Sequence, residues 1–307
     1  MDVLVIGAGV VGLTTAVCLA EGGLEVGVVA AEPPRRTTSM VAGAMIGGPV
    51  FTEPMDSAVW WQRTSLAEFT ALAADPDTGV RVARGRLVSR IGEQPPPWAA
   101  DLPGYRPCEP DEHAGFPVAF WISSPLVDMP RYLGYLELRL LAAGTRVEVR
   151  EVTSLGGAPV VVNCSGLGAR ELAGDPEVRP VRGQHVIVSN PGIEDFFFEG
   201  GFESEWTSFM PHEERVVLGG NASDGDWNDQ PDPRQTQEIL DRCAAVEPRL
   251  AEARVLGVEV GLRPGRPSIR LEEEQVHGTR VIHCYGHGGV GVSMSWGCAR
   301  DIAARLL

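Results

Sequence analysis

Arg263 stands in the run GLRPGRPSIRLE (261–272), between the apolar residues 258–262 and a proline, where its guanidinium is expected to be largely buried. A buried and permanently charged group is costly unless it is paired, so this side chain requires a carboxylate partner. The fork of an arginine fits the α-carboxylate of a small molecule, but an ion pair with one of the 41 acidic residues would also satisfy it. The pattern therefore indicates either a carboxylate-binding site or an internal ion pair.

A second candidate is the turn GAGVVG, in which Gly7, Gly9 and Gly12 follow the apolar run DVLVI and open a stretch of helical period. The first glycine lets the chain turn, the second lets backbone approach a pyrophosphate, and the third lets helix pack on strand. Free N–H groups at the helix start, around Val10 and Val11, favour phosphate. The sequence therefore predicts a dinucleotide-binding site.

Two further features belong with this site. Glu32 follows the second apolar run, 25–30, and is the candidate for holding the ribose, although a solvated loop carboxylate is an equally good interpretation. Near the C-terminus four glycines crowd the positions 286–291, directly after the buried strand 281–285 and before a terminal helix. Such spacing allows backbone to pass against a planar ring, and the N–H groups of the helix start could stabilise negative charge there.

The elements that must position these residues alternate between strand and helix in three separate segments. Apolar runs at 2–6, 25–30, 159–163 and 281–285 predict buried parallel strands. We expect a Rossmann-like α/β domain formed by 1–50, 150–190 and 255–307. Interleaved with it is an antiparallel, β-rich α+β substrate domain formed by 51–149 and 191–254. Because the chain leaves the first fold by residue 50 and returns late, as flavoproteins with an inserted domain do, we predict FAD as the dinucleotide.

Composition excludes several other classes. All 26 basic residues among the 307 are arginines, so a pyridoxal-phosphate Schiff base, a P-loop lysine and a lysine general base are ruled out. The net charge of −15 disfavours nucleic acid and anionic membrane as partners. Neither the six cysteines nor the six histidines show ligand spacing, so we expect reduced cysteines and no metal. Without an apolar run of ~20 residues or a charged leader, a cytoplasmic protein is expected.

Five segments, in order along the whole chain, resemble the D-amino-acid oxidase family, which has glycine oxidase and D-aspartate oxidase as relatives. The last two are the most specific to that family. The segments are VIGAGVVGLTTA (5–16), TTSMVAGAM (37–45), VVVNCSGLGARELAGDPEVRPVRGQ (160–184), GLRPGRPSIRLE (261–272) and HCYGHGGVGVSMSWG (283–297). The resemblance implies non-covalent FAD and oxidation of a D-amino acid by hydride transfer from Cα to the flavin. The products are a 2-oxo acid, ammonia and hydrogen peroxide, with oxygen as the second substrate. The sequence is compatible with a homodimer.

The resemblance also implies roles for individual residues. It makes Arg263 the carboxylate-binding residue, Tyr285 a second carboxylate donor and the Gly289 carbonyl the acceptor for the substrate amine. Alternatively, the ring of Tyr285 only packs against its neighbours and its hydroxyl contacts solvent. His287 is not expected to act as a base, and Arg270 is expected to be structural, as is the neighbouring Arg266. The implied FAD-binding residues are Gly7, Gly9, Val10, Val11, Gly12, Glu32, Thr37, Thr38, Ser39, Gly43, Ala44, Ser165, Gly166, Gly288, Gly289, Val290, Gly291, Val292 and Ser293.

One departure from the family concerns the roof of the substrate pocket. Family members commonly carry two tyrosines there, four positions apart, whereas this chain has no tyrosine between 136 and 284. Matching the neighbouring segments puts Ser204 and Ser208 at those positions. Period-two alternation would place Trp206 and Met210 on the same face. We therefore expect an enlarged pocket lined by these four side chains.

Other substrates for the same flavin chemistry remain open at this point. They include glycine, a cyclic or secondary amine, a D-acidic amino acid and a specialised biosynthetic intermediate. A D-acidic substrate would require a further cation, for which Arg215 is the nearby candidate, and Glu203 or Glu205 could favour basic side chains. A flavoprotein that binds without turnover is disfavoured, since a degenerate site would not retain both Arg263 and Tyr285.

Overall fold

The computed structural model describes residues 1–48, 52–201 and 204–307. Its strands form a six-stranded sheet and a nine-stranded sheet, and helices cover the smaller sheet. The mixed α/β class predicted from the sequence is confirmed.

The six-stranded sheet consists of five parallel strands and one antiparallel edge strand. In spatial order they are β14 (Arg270–Val276), β15 (Thr279–Tyr285), β7 (Val160–Asn163), β1 (Val3–Ile6), β2 (Val26–Ala30) and β6 (Val147–Val149). The nine-stranded sheet runs through β12 (Ser223–Asp224), β8 (Arg179–Ser189), β11 (Arg215–Asn221), β10 (Glu205–Pro211), β9 (Phe196–Gly200), β3 (Val80–Ser89), β5 (Val118–Val127) and β4 (Arg106–Pro107), with β13 (Val255–Gly265) paired to β8. The α-helices are α1 (Val10–Glu21), α2 (Met55–Leu72), α3 (Met129–Ala142), α4 (Ala169–Leu172), α5 (Pro233–Val246) and α6 (Gly291–Leu306).

The central strands of the smaller sheet are largely buried. Every residue of β1 is buried, as expected for a parallel strand covered on both faces. Helices α1, α3 and α6 contribute to the main hydrophobic core, and the indole nitrogen of Trp296 in α6 donates to the Tyr132 hydroxyl of α3 at 2.8 Å. This core holds the carboxyl ends of the parallel strands at one edge.

The membership of three strands differs from the segment boundaries expected from the sequence. β6 belongs to the smaller sheet because it pairs in parallel with β2, although 51–149 was assigned to the substrate domain. β8 and β13 belong to the larger sheet because they pair with each other, although both lie in segments assigned to the dinucleotide-binding domain. The larger sheet therefore reaches into the predicted cofactor segments.

Candidate active site

A cavity of about 690 Å³ opens where the parallel strands β1, β2, β7 and β15 end. Its wall continues with residues of β8 and β13, so both sheets contribute to it. The carboxyl ends of parallel strands are where ligands bind in open α/β sheets, and the volume is within the usual range for ligand pockets. The cavity is therefore the candidate active site.

Most of the predicted cofactor residues meet at this cavity. Those that line it are Gly7, Gly9, Val10, Val11, Glu32, Thr37, Thr38, Ser39, Ser165, Gly166, Gly288, Gly289, Gly291 and Val292. Gly12, Gly43, Ala44, Val290 and Ser293 do not line it. Arg263 and Tyr285 also lie in its wall, together with Gly289.

The first glycine turn brings backbone to the cavity wall. Gly7 has a φ of +116°, and a Cβ on this residue would overlap the carbonyl oxygen of Cys164. A Cβ on Gly12 would overlap the carbonyl oxygen of Gly7, so Gly12 serves the packing of α1 rather than the lining. Helix α1 starts without a side-chain cap at Gly9 or an acidic residue in its first turn, which leaves its positive end directed at the cavity.

The segment after β2 supports this turn. The Ser39 hydroxyl accepts from the Val10 N–H at 2.9 Å. Glu32 lies at the end of β2, with its carboxylate 3.3 Å from Arg36 Nε, and both side chains are exposed at the cavity rim. The carbonyl of Ala44 is engaged with the Val127 N–H at 3.0 Å, which turns this part of the segment toward β5. The cofactor-binding role of Ala44 stays a prediction.

A chain of hydrogen bonds fixes the end of β7. Both the N–H and the hydroxyl of Ser165 bond Asn163 Oδ1, at 3.2 and 2.6 Å. The Asn163 amide lies 3.2 Å from Nδ1 of the fully buried His283, whose Nε2 is 2.8 Å from Glu274. Burial lowers the pKa of His283, which keeps Nδ1 available as an acceptor for the amide. Ser165 is thus held in one orientation at the cavity wall.

Arg263 is brought against the second glycine turn. The Gly288 N–H donates to the Pro264 carbonyl at 2.8 Å, which ties the turn to β13. A Cβ on Gly289 would lie 3.7 Å from Arg263 Cδ, so the two predicted catalytic residues are neighbours. Gly291 then begins α6.

Among the residues that the structure describes, no carboxylate lies beside the guanidinium of Arg263. Its Nη1 donates to the Asn221 carbonyl at 3.0 Å, and its Cζ lies 5.8 Å from the ring centroid of Trp206. Gly183 leaves room for the guanidinium on β8, because a Cβ there would overlap its nitrogens. Burial lowers the pKa of Arg263, and no acidic group of the described ranges counters this. Arg263 therefore forms no ion pair with a described residue, and its charge faces the cavity with further N–H donors available.

The role predicted for Tyr285 is wrong as regards its hydroxyl. The ring lines the cavity, but the hydroxyl donates its one hydrogen to Asp175 Oδ2 at 2.9 Å and accepts from Arg270 Nη1 at 2.6 Å. Burial is the main cause that raises the pKa of Tyr285 to about 12. With its proton already donated, this hydroxyl is not a second donor to a substrate carboxylate.

Asp175 joins two arginines that were expected to be structural. It lies 3.0 Å from Arg266 Nε and 3.9 Å from Arg270 Nη1, and only 7% of its surface is exposed. Burial opposes its ionisation, but hydrogen bonds from Tyr285 and Arg266 hold the pKa of Asp175 below its usual value. The cluster fixes the residues that follow β13 and the end of β15.

Replacing Asp175 by asparagine is expected to lower the free energy of unfolding by about 1.5–3 kcal/mol, because the hydrogen bonds from Tyr285 and Arg266 lose their charged and largely buried acceptor. Chemical denaturation followed by fluorescence measures this change. The matched control is Glu177→Gln, since Glu177 also pairs with Arg266, at 2.8 Å, but is 53% exposed. The free energy of unfolding of this control variant should fall by less than about 1 kcal/mol. Equal losses from both variants would contradict the importance given to the buried carboxylate.

The roof strand β10 differs from the predicted alternation. Its pairing with β11 shifts between Glu205 and Ser208, which marks a β-bulge. The prediction that Ser204 and Ser208 share one face is therefore wrong, and Ser204 is exposed, ahead of the strand. Trp206 is half-buried, while Ser208 and Met210 are buried. None of the four belongs to the immediate lining of the cavity.

His185 lines the cavity but was not singled out from the sequence. Its Nδ1 lies 2.7 Å from the Val41 carbonyl, so this nitrogen carries the proton and Nε2 is an acceptor. Burial, reinforced by the charge of Arg263, lowers its pKa to about 4. The imidazole lies between Gly43 and Gly219, where added Cβ atoms would be 3.9 Å from Cε1 and 2.9 Å from Nε2. The sequence alone does not identify His185 as a cavity residue, because its position there depends on the pairing of β8 with β13.

The two described charged residues that were proposed to bind a substrate side chain form ion pairs with other residues of the protein. Arg215 lies 2.9 Å from Asp128, so it is not a free cation for a D-acidic substrate. Glu205 pairs with Arg242 at 3.0 Å and is half-exposed, while Glu203 lies outside the described residues. The suggestion that Arg215 or Glu205 binds a charged substrate side chain is therefore wrong.

The cavity suits FAD on three observations. Glycine backbone replaces side chains where a pyrophosphate would approach, and α1 begins there without an acidic residue in its first turn. A second glycine turn leaves a flat wall beside an unpaired guanidinium. Fold and cavity together are those of a dinucleotide-dependent oxidoreductase.

A family model described as FAD dependent oxidoreductase matches residues 2–305, and the chain belongs to this family. Two bacterial relatives are named D-amino-acid oxidase. The protein from Streptomyces coelicolor is 49% identical over 311 residues, covering 99% of this chain and 96% of its own length. The protein from Rubrobacter xylanophilus is 47% identical, covering 98% and 94%. A human protein named D-aspartate oxidase is 37% identical, covering 99% and 94%. The family resemblance predicted from the sequence is confirmed.

Solved structures share the fold. Glycine oxidase from Geobacillus kaustophilus matches with a TM-score of 0.81 at 19% identity, covering 99% of this chain and 94% of that one. Glycine oxidase from Bacillus cereus matches with a TM-score of 0.77 at 19% identity and the same coverage. In the ranges that the structure describes, no helix has both the length and the apolar character needed to span a bilayer.

Proposed function

We propose that this protein is an FAD-dependent oxidase of D-amino acids. In the overall reaction a D-amino acid, oxygen and water give a 2-oxo acid, ammonia and hydrogen peroxide. The observation that carries the proposal is Arg263, a largely desolvated guanidinium that lines the cavity and has no carboxylate partner among the described residues. The activity named for the two bacterial relatives supports the same reaction.

Bound FAD supplies the two-electron acceptor for this oxidation. Arg263 binds the substrate carboxylate through its fork, and the neighbouring Gly289 offers its carbonyl to the substrate amine. These two contacts fix two substituents of the α-carbon, so the positions of the side chain and the α-hydrogen follow from the configuration. The residues of the first glycine turn, with Ser39 and Ser165, hold the nucleotide part of the cofactor.

The described cavity wall offers no histidine suited to general-base catalysis near neutral pH. His185 and His287 both line it, and burial lowers the pKa of each to about 4. A base with such a pKa is weak. The chain's residues therefore bind and orient the substrate, whose own amine lone pair promotes the loss of the α-hydrogen.

We propose further that the pocket prefers neutral side chains. The arginines lining the described cavity are Arg36, paired with Glu32 at the rim, and Arg263, which is needed for the carboxylate. Trp206 and Met210 border the region beside Arg263 and Gly43. Serine rather than tyrosine at position 208 leaves volume for a large side chain.

A substrate panel tests this proposal. Peroxide release is measured for D-alanine, D-methionine, D-phenylalanine, D-aspartate and D-arginine and for the L-enantiomers. We expect kcat/KM for the neutral D-amino acids to exceed that for D-aspartate and D-arginine by at least about 10-fold. A buried charge without a partner costs at least the equivalent of this ratio, about 1.4 kcal/mol.

The holoenzyme's yellow colour is the internal control for correct folding and cofactor loading. Peroxide release from glycine or L-amino acids at rates equal to those of the D-amino acids would contradict the proposed substrate class. A preference for D-aspartate would instead reveal a second cation that the described cavity does not contain.

A further inference from the structure

Three soft donor atoms meet behind the second glycine turn. Cys284 ends β15, His287 lies in the turn and Cys298 lies in α6. The imidazole Nε2 is 3.5 Å from Cys298 Sγ and 4.0 Å from Cys284 Sγ, and all three donor atoms lie within 4.8 Å of one another. All three side chains are buried, with at most 5% of their surface exposed.

The spacing matches neighbouring ligands of a tetrahedral metal ion. With metal–sulfur bonds of about 2.3 Å and metal–nitrogen bonds of about 2.0–2.1 Å, adjacent ligand atoms are about 3.5–3.8 Å apart. Thiolate and imidazole donors select zinc and other soft or borderline cations over magnesium and calcium. We propose that Cys284, His287 and Cys298 form a binding site for a thiophilic divalent cation such as Zn²⁺. The established family and the proposed oxidase activity do not require such a site.

The charge balance of this site suits its burial. Two cysteines that lose their protons carry two negative charges, the divalent ion carries two positive charges, and the imidazole is neutral. The occupied site therefore has no net charge, which avoids the cost of burying an unpaired ion.

Metal binding at this site should depend on pH, because the two cysteine thiols must lose their protons. The metal must displace these protons, so binding should strengthen as pH rises. The fourth position is available to water from the cavity, which Cys284 and His287 line.

Entry to the site is through the cavity. Cys284 and His287 line it, whereas Cys298 lies behind them in α6. A bound ion would tie β15 to the middle of α6 through metal–ligand bonds. The sequence alone did not suggest this site, because Cys298 comes from a different element and forms no recognisable spacing with the other two.

The test is cobalt uptake by the full-length holoenzyme, with Co²⁺ as the probe. Tetrahedral thiolate-bound Co²⁺ absorbs at long wavelengths, where oxidised flavin does not. We expect one Co²⁺ per chain, displaced by Zn²⁺, with uptake that increases with pH. Cys298→Ser should lose the long-wavelength bands, whereas Cys18→Ser should retain them. Cys18 is the matched control because it is a buried cysteine of α1 outside the cluster.

A second measurement covers the case in which Cys298→Ser does not fold. Zinc-edge X-ray absorption of the wild-type protein, loaded during expression, should show at least two sulfur ligands and one imidazole nitrogen. Equal cobalt spectra for wild type and Cys298→Ser would overturn the proposal. So would failure of the wild-type protein to take up metal both in the holoenzyme and during expression. Neither outcome depends on whether D-amino acids are the substrates.

Discussion

Arg263→Ala is expected to lower kcat/KM for neutral D-amino acids by about 10²- to 10³-fold. Truncating one partner of a buried, hydrogen-bonded charge pair costs about 2–5 kcal/mol. In this protein the substrate carboxylate is the proposed partner, because the described residues near Arg263 include no protein carboxylate. Steady-state peroxide assays measure the loss, and we expect much of it in KM.

Two controls separate this role from a general effect of removing an arginine. Arg263→Lys keeps the charge but lacks the fork, so its activity should fall between those of wild type and Arg263→Ala. Arg179→Ala removes a guanidinium from the start of β8 that pairs with Asp224 at the surface, at 2.6 Å, and should leave kcat/KM nearly unchanged. An unchanged KM in Arg263→Ala would place the substrate elsewhere in the cavity.

Gly7→Ala is expected to weaken FAD binding by about 10²-fold or more. The φ of +116° is unfavourable for alanine, and left-handed backbone already costs an L-residue about 1–2 kcal/mol. The added Cβ would also overlap the carbonyl oxygen of Cys164, so the turn must move away from β7. Equilibrium titration of the apoprotein with FAD, followed by flavin fluorescence, measures the change, and the purified variant should be almost colourless.

Gly23→Ala provides the matched control for this experiment. Gly23 also has a positive φ, +96°, but no atom lies within 4 Å of its added Cβ, and it lies outside the cavity lining. The control therefore shares the backbone strain without the overlap. It should lose some stability and retain its flavin. Normal FAD affinity in Gly7→Ala would refute the placement of the cofactor at the first turn.

The fold was predictable where one local pattern determines an element. The buried runs of β1, β7 and β15 are continuous and apolar, and each was expected as a strand. Asp232 accepts from the Arg234 N–H and begins α5, as its position before a proline predicts. By contrast, β14 was not expected, because an edge strand of glutamates lacks an apolar face and is recognised only by its pairing with β15.

The site was predictable for backbone features and less so for side-chain partners. Glycine spacing located both turns, because the close approach of backbone is a local requirement. The partner of the Tyr285 hydroxyl is Asp175, which lies 110 positions away in the sequence, so no local pattern indicates it. The displacement of Ser204 follows from a bulge, and a bulge of one residue reverses every face assigned upstream of it.

His185 illustrates a further limit. Its proximity to Arg263 follows from the antiparallel register of β8 and β13. These strands are separated in the chain by the whole of β9–β12 and α5, and nothing in either strand specifies the other as its neighbour. Side chains brought together by such pairing become visible only in three dimensions.

The Thr38 hydroxyl donates to the Leu262 carbonyl at 3.0 Å, and this bond, like that from Gly288 to Pro264, fastens β13 to segments of the smaller sheet. The guanidinium proposed to orient the substrate lies on a strand of the larger sheet, whereas the turns proposed to hold the flavin follow strands of the smaller sheet. The alignment of substrate and flavin therefore depends on how the two sheets pack against each other. Substitutions at the contact between the two sheets would therefore change the turnover rate without altering any residue that contacts a ligand.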